Sequence, residues 1–112
     1  MLAKSQRLNL KKDFKWVASG QKIETQFLKV FIRNGGNLFP RVGIATSKAT
    51  YKKAHERNKA RRLIAQAFQE IYSLLPTNAN IVALPKAGIL EVKSSDVVAD
   101  LRNALKNENI IT

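Results

Sequence analysis

"KKAHERNKARRLIAQAFQEIYSLLP", Lys52 to Pro76, carries both a scaffold and a charge anomaly. Its apolar residues fall at Ala60, Leu63, Ile64, Ala67, Phe68, Ile71, Leu74 and Leu75, the spacing of an amphipathic helix. The periodicity predicts one long helix from about Thr50 to Leu75, closed by Pro76. At its start, Lys52, Lys53, Arg57, Lys59, Arg61 and Arg62 face a single acid, Glu56. The unpaired N–H groups of a helix N-terminus carry about half a positive charge, so each cation there costs roughly 0.3–1 kcal/mol. Like charges at i and i+4, such as Arg57 and Arg61, repel as well. A sequence that gathers these penalties in one place points to an anionic partner that removes them, against the plainer reading of a solvated basic face.

With Ile64 set at zero and 100° per residue, Arg61, Asn58 and Arg62 lie at about 60°, 120° and 160°, beside the apolar face. Arg57 lies at about 20°, a turn ahead of the first apolar contact. The helix is therefore expected to overhang the sheet and to release Arg57 past its edge. Guanidinium groups match phosphate oxygens in a bidentate fork, and Asn58 suits a base edge or a ribose hydroxyl. RNA is favoured over DNA because neither helix-turn-helix nor zinc-finger spacing is present.

Around this helix, "RLNLKKDFKWVASG" reads as a short first helix capped by Asn9 and stopped by Gly20, with Leu10, Phe14, Val17 and Ala18 at helical spacing. "QFLKVFIRNGG" alternates, turns at Asn34-Gly35-Gly36 and is followed by "PRVGIATS", which together predict a hairpin. "NIVAL" ahead of Pro85 reads as a third, buried strand. Ser94 or Ser95 is expected to cap a last helix through Val97, Val98, Leu101, Ala104 and Leu105, with Asp96 in its first turn. The expected fold is a single α+β domain over residues 1–112, in the order α-β-β-α-β-α, with helices packed on a mixed sheet and the central helix as a crossover.

Along the first strand, Leu28, Val30 and Ile32 share one face, and Phe27, Lys29, Phe31 and Arg33 share the other. The second face has two readings: a platform on which unpaired bases stack, or a core face with Lys29 snorkelling to the edge. Phe14 and Trp16 of the first helix share that ambiguity.

Net charge is +12 over 112 residues, and it is unevenly spread. Sixteen Lys and Arg stand against three acids from Met1 to Arg62, and four against five from Leu63 to Thr112. That split suits a polyanion-binding surface mounted on a near-neutral scaffold. There is no cysteine and one histidine, so disulfides and thiolate or His-based metal sites are not expected. No apolar run approaches the roughly 20 residues that span a bilayer, and no signal-peptide core follows Met1. A cytoplasmic location is expected, with no membrane partner. His55 beside Glu56 lacks a second histidine, a nucleophile or paired carboxylates, so no catalytic residue is assigned.

"RVGIATSK…KKAHERNKARRLIAQAF" is similar to the signature of the bacterial ribonuclease P protein subunit: a cationic pair, Ala-His-Glu, Arg-Asn-Arg, and Lys-Arg-Leu opening the central helix. Arg57, Asn58, Arg62, Leu63 and Phe68 match, and Lys59 and Arg61 keep the charge. Arg7, Leu8, Asp13 and Phe14, the Pro40-Arg41-Val42-Gly43 stretch and "IVAL" extend the likeness over nearly the whole chain. The resemblance implies an α+β sandwich with a left-handed β-α-β crossover. It implies a protein that binds the catalytic RNA of ribonuclease P, while that RNA, holding the Mg²⁺, removes the 5′ leader from precursor tRNA. The protein alone is expected to bind no cofactor.

Under the resemblance the RNA-binding candidates are Lys48, Lys52, Lys53, Arg57, Asn58, Lys59, Arg61 and Arg62. A cleft between the first helix and the sheet is implied for the leader, with Phe14, Lys29, Val30 and Phe31 as candidates. Val30 aligns with an often aromatic position of the family, whereas strand alternation favours Lys29 and Phe31. The family's helix often has further arginines where this chain has Ala65 and Gln69. A monomer or weak dimer is expected. The alternative functions are a small basic protein of ribosomal RNA and, less in keeping with scattered Asp13, Glu24 and Glu56, a metal-dependent protein nuclease.

Overall fold

A computed structural model describes residues 2–112. Helix α1 spans Leu10–Ala18, and Asn9 caps it by accepting from Lys12 N at 3.3 Å. The chain turns at once into strand β1, Gln21–Glu24, with Gly20 at the corner. A side chain at Gly20 would collide with the carbonyl of Ile32, so this tight approach requires glycine. Strand β2 is Leu28–Asn34, β3 is Arg41–Ile44, helix α2 is Ala54–Ile71, β4 is Ala79–Pro85 and α3 is Ser94–Asn107. The architecture is α+β with a mixed four-stranded sheet and three helices. The element order is α-β-β-β-α-β-α, one strand more than the sequence order expected.

The sheet order is β1-β2-β4-β3. The hairpin is formed by β1 and β2, not by β2 and β3. The β2 register runs from Leu28 opposite Pro85 to Asn34 opposite Ala79, so β4 lies between the two strands expected to pair. β4 takes the centre because it is apolar on both faces: Ile81 and Ala83 enter one core cluster, Val82 and Leu84 the other. β3 lies parallel to β4, and α2 makes the long connection that a parallel pair needs. The central helix is shorter at both ends than its periodicity suggested, and residues 72–74 tighten into a 3-10 turn. Lys93, not Ser94 or Ser95, occupies the cap position of α3, and Asp96 accepts from its main-chain N at 3.0 Å.

Helices α2 and α3 cover one face of the sheet. There Leu28, Val30, Ile81 and Ala83 pack with Ile64, Phe68, Ile71, Leu101 and Leu105, all fully buried. Helix α1 alone covers the other face, burying Leu8, Val17 and Val82 and leaving Leu10, Phe14, Phe31, Ala45 and Leu84 half-buried. One face is thus a closed core and the other is only partly covered. The β1–β2 turn is tied to α3 by Asp100, whose carboxylate accepts from Thr25 Oγ1, Gln26 N (3.0 Å) and Phe27 N (2.9 Å).

Candidate nucleic-acid interface

The first residue of α2 to be buried is Ala60, so the helix does begin a turn and a half beyond the core. Lys53 caps it without a side-chain hydrogen bond. The preceding turn is held by Ser47 Oγ, which accepts from Thr50 N at 3.1 Å, and by the buried Tyr51, whose phenol donates to Lys86 O at 2.6 Å. Burial, with Glu56 adding to it, pushes the Tyr51 phenol above its ordinary pKa.

Arg57 does not emerge past the sheet edge. It is half-buried, and Nη1 turns back to donate to Tyr51 O at 2.8 Å and Lys52 O at 3.1 Å, binding the pre-helix turn to the helix. Lys59 leans the other way, with Nζ on Leu90 O at 3.0 Å. Arg61 Nη1 donates to Asn58 Oδ1 at 2.8 Å, which orders both side chains on the exposed flank. Lys48, Lys52, Lys53 and Arg62 are exposed. Among the described residues the only ion pairs are those of Glu24 with Lys22 and Lys86, so none of the cations at this end of α2 is neutralised by a carboxylate. The hydrogen bond from Lys22, with the charge of Lys86 beside it, holds the Glu24 carboxyl below its ordinary range.

The partly covered sheet face under α1 carries three of the four cleft candidates. Phe14 and Phe31 belong to its apolar cluster, and Lys29 stands on the same sheet face, between Glu24 and Leu84 in the register. Val30 does not join them. It is 0% exposed and packs in the core under α2 and α3, because alternation along β2 sends it to the opposite face. Phe27 also departs from its expected face: it precedes β2 and packs on the closed core.

Ala65 is 3% exposed and, with Leu2, Leu8 and Arg61, lines a cavity of about 230 Å³ between α2 and the N-terminal segment. Gln69 is exposed. Two side chains have placements that no sequence pattern announced. Lys86 clamps the β1–β2 turn by donating to Thr25 O at 2.8 Å, and Arg7 lies near Arg61 on the cavity wall. A lone lysine directly after the Pro85 that ends β4 is the only hint of the first. No group of three or more metal-ligating side chains occurs among the described residues.

Fold and site define a class: a small basic α+β protein with an unneutralised cationic helix end beside a half-open sheet face. A family model described as Ribonuclease P matches residues 2–109. The ribonuclease P protein component of Legionella pneumophila (strain Lens) is 36% identical over 87 residues, covering 77% of this chain and 74% of that one. The same component from Thermotoga maritima is 29% identical over 87 residues, with the same coverage. The solved RNase P protein of Thermotoga maritima in complex with 1-(4-fluorophenyl)-2-thiourea superposes with a TM-score of 0.78 at 28% identity, covering 89% of this chain and 97% of that one. The Staphylococcus aureus RNase P protein shares the fold, with a TM-score of 0.79 at 22% identity over 97% of this chain and 100% of that one. The chain belongs to the ribonuclease P protein family.

Proposed function

We propose that this protein is the protein subunit of ribonuclease P, binding the catalytic RNA and assisting removal of the 5′ leader from precursor tRNA. The observation that carries the reading is the N-terminal end of α2, where Lys48, Lys52, Lys53, Arg61 and Arg62 are exposed and meet no carboxylate among the described residues. Phosphates neutralise such a cluster and relieve the helix-end penalty. Arg57 and Lys59 hold the surface in shape through main-chain carbonyls, and Asn58 orients Arg61 for a bidentate contact. The half-buried face of Phe14, Phe31 and Lys29 suits an unpaired strand, aromatic surface meeting bases and the ammonium group a phosphate.

In this reading the bond cleavage belongs to the RNA, with Mg²⁺ held there, and the protein contributes charge and positioning. It acts in the cytoplasm as a monomer or weak dimer; no helix among the described residues is long and apolar enough to cross a membrane. Reconstitution tests it. Added to ribonuclease P RNA at low Mg²⁺, the protein should accelerate leader release. Absence of stimulation, together with stable co-sedimentation on ribosomal subunits, would assign the surface to ribosomal RNA instead.

A further inference from the structure

Trp16 lies on the side of α1 turned away from Phe14, about 200° round the helix, with Lys12 at about 160°. Its ring meets the loop after β2, where a side chain at Gly35 would stand 3.1 Å from the indole edge. Arg33 fixes the ring. Its guanidinium carbon is 4.8 Å from the indole centroid, and Nη1 donates to Trp16 O and Ser19 Oγ at the end of α1. The indole is nevertheless 38% exposed. Nearby, Arg41 stands 6.0 Å from the ring of Phe39, itself 42% exposed.

Between these groups is a recess of about 340 Å³, lined by Lys12, Asp13, Trp16, Gly35, Arg41 and the buried Asn80 among others. That volume is at the lower end of small-ligand sites, roughly 300–1,000 Å³. Lys12, Arg33 and Arg41 have no ion-pair partner among the described residues. A bare phosphate would face Asp13 as well as the cations, whereas a nucleotide offers Asp13 a base amino group or ribose hydroxyl to accept from. A held, half-exposed indole beside free cations is what single-strand binders use to stack a base.

We propose that this recess binds one unpaired ribonucleotide, its base stacked on Trp16, its phosphate on Arg41 and Lys12, and its amino or hydroxyl edge on Asp13. Neither Phe14 nor Phe31 lines it, and Phe14 points about 200° away from Trp16 round α1. The choice of RNA rests on the ribonuclease P reading, and the nucleotide comes either from the leader or from the catalytic RNA.

Trp16 is the only tryptophan, so its emission reports the site directly. Titration of the full chain with a short single-stranded oligoribonucleotide should quench it saturably. Followed by anisotropy of the labelled oligonucleotide, Trp16→Leu should bind about tenfold more weakly and Trp16→Phe should recover most of the loss. In the reconstituted holoenzyme, quenching on addition of the catalytic RNA alone assigns the nucleotide to that RNA. Quenching that waits for precursor tRNA and fails with leaderless tRNA assigns it to the leader. Unchanged emission in every mixture, in samples where leader release is stimulated, would overturn the recess and leave the ribonuclease P reading standing. Equal affinity of Trp16→Leu and wild type would overturn it too, and failure to bind any RNA would remove both.

Discussion

Arg57 donates from Nη1 to the main-chain carbonyl of Tyr51 at 2.8 Å, while the phenol of Tyr51 reaches across to Lys86 O at 2.6 Å. A residue of the cationic cluster thereby fastens the turn before α2 to the end of β4. Arg57 and Arg62 consequently differ in role although both sit in the same charged run. Arg57→Ala should lower stability by about 1 kcal/mol, since it removes two partly exposed charged hydrogen bonds, or about 4 °C in Tm for a chain of this size, and should weaken RNA binding. Arg62→Ala should weaken RNA binding with Tm unchanged. Thermal melts beside filter binding separate the two; equal Tm values for both variants would contradict the assignment.

Both tyrosines titrate late. Burial raises the Tyr72 phenol as it does that of Tyr51, where Glu56 adds to the effect. A phenol with a folded pKa above its unfolded value near 10 binds more protons in the folded state. Stability from this source is complete below about pH 10 and falls as pH rises from there towards the folded value. Phenolate absorbance should rise at higher pH in native protein than in denaturant, and Tyr51→Phe should leave only the Tyr72 transition. Coincident native and denatured titrations would refute this.

Strand β2 allows its two faces to be told apart. Val30→Ala should cost roughly 2 kcal/mol by opening a core cavity, with the affinity of the remaining folded protein for leader-bearing substrate unchanged. Lys29→Ala and Phe31→Ala should reduce that affinity relative to leaderless tRNA. A leader-specific loss with Val30→Ala and none with Phe31→Ala would place the leader on the wrong face of this account.

Asp100 is the acceptor through which α3 holds three donors of the β1–β2 turn. Asp100→Ala removes three hydrogen bonds to one carboxylate, so urea denaturation should show a loss of about 2–3 kcal/mol. The exposed cations of α2 stay in place, and RNA affinity of the folded variant should match wild type. A lowered affinity at full folding would link this turn to the interface.

Much of this architecture is legible in the sequence where a signal repeats. The apolar spacing from Ala60 to Ile71 specifies α2, Asn9 announces α1, and alternation puts Leu28, Val30 and Ile32 on one buried face. β1 carries no such signal: it is four residues long with one buried side chain, Ile23, between exposed neighbours. The pairing of β2 with β4 joins Leu28 to Pro85, far apart in the chain, and local turn residues after Asn34 say nothing about it. Phe27 follows the turn anchored by Asp100, which takes it out of the strand's alternation. At the interface, the helical wheel locates the charged flank but not the ends of its side chains. A wheel gives the direction of Cβ, whereas the long arm of Arg57 folds back to the nearest unpaired carbonyls.

The proposed contact between exposed cations at the start of α2 and RNA phosphates has a signature in salt. It is tested most directly by the salt dependence of binding to ribonuclease P RNA, for wild type and for Arg62→Gln. Removing one cation from a phosphate should reduce the slope of log affinity against log salt by roughly 0.7–0.9. A slope and affinity for Arg62→Gln identical to wild type would contradict the account.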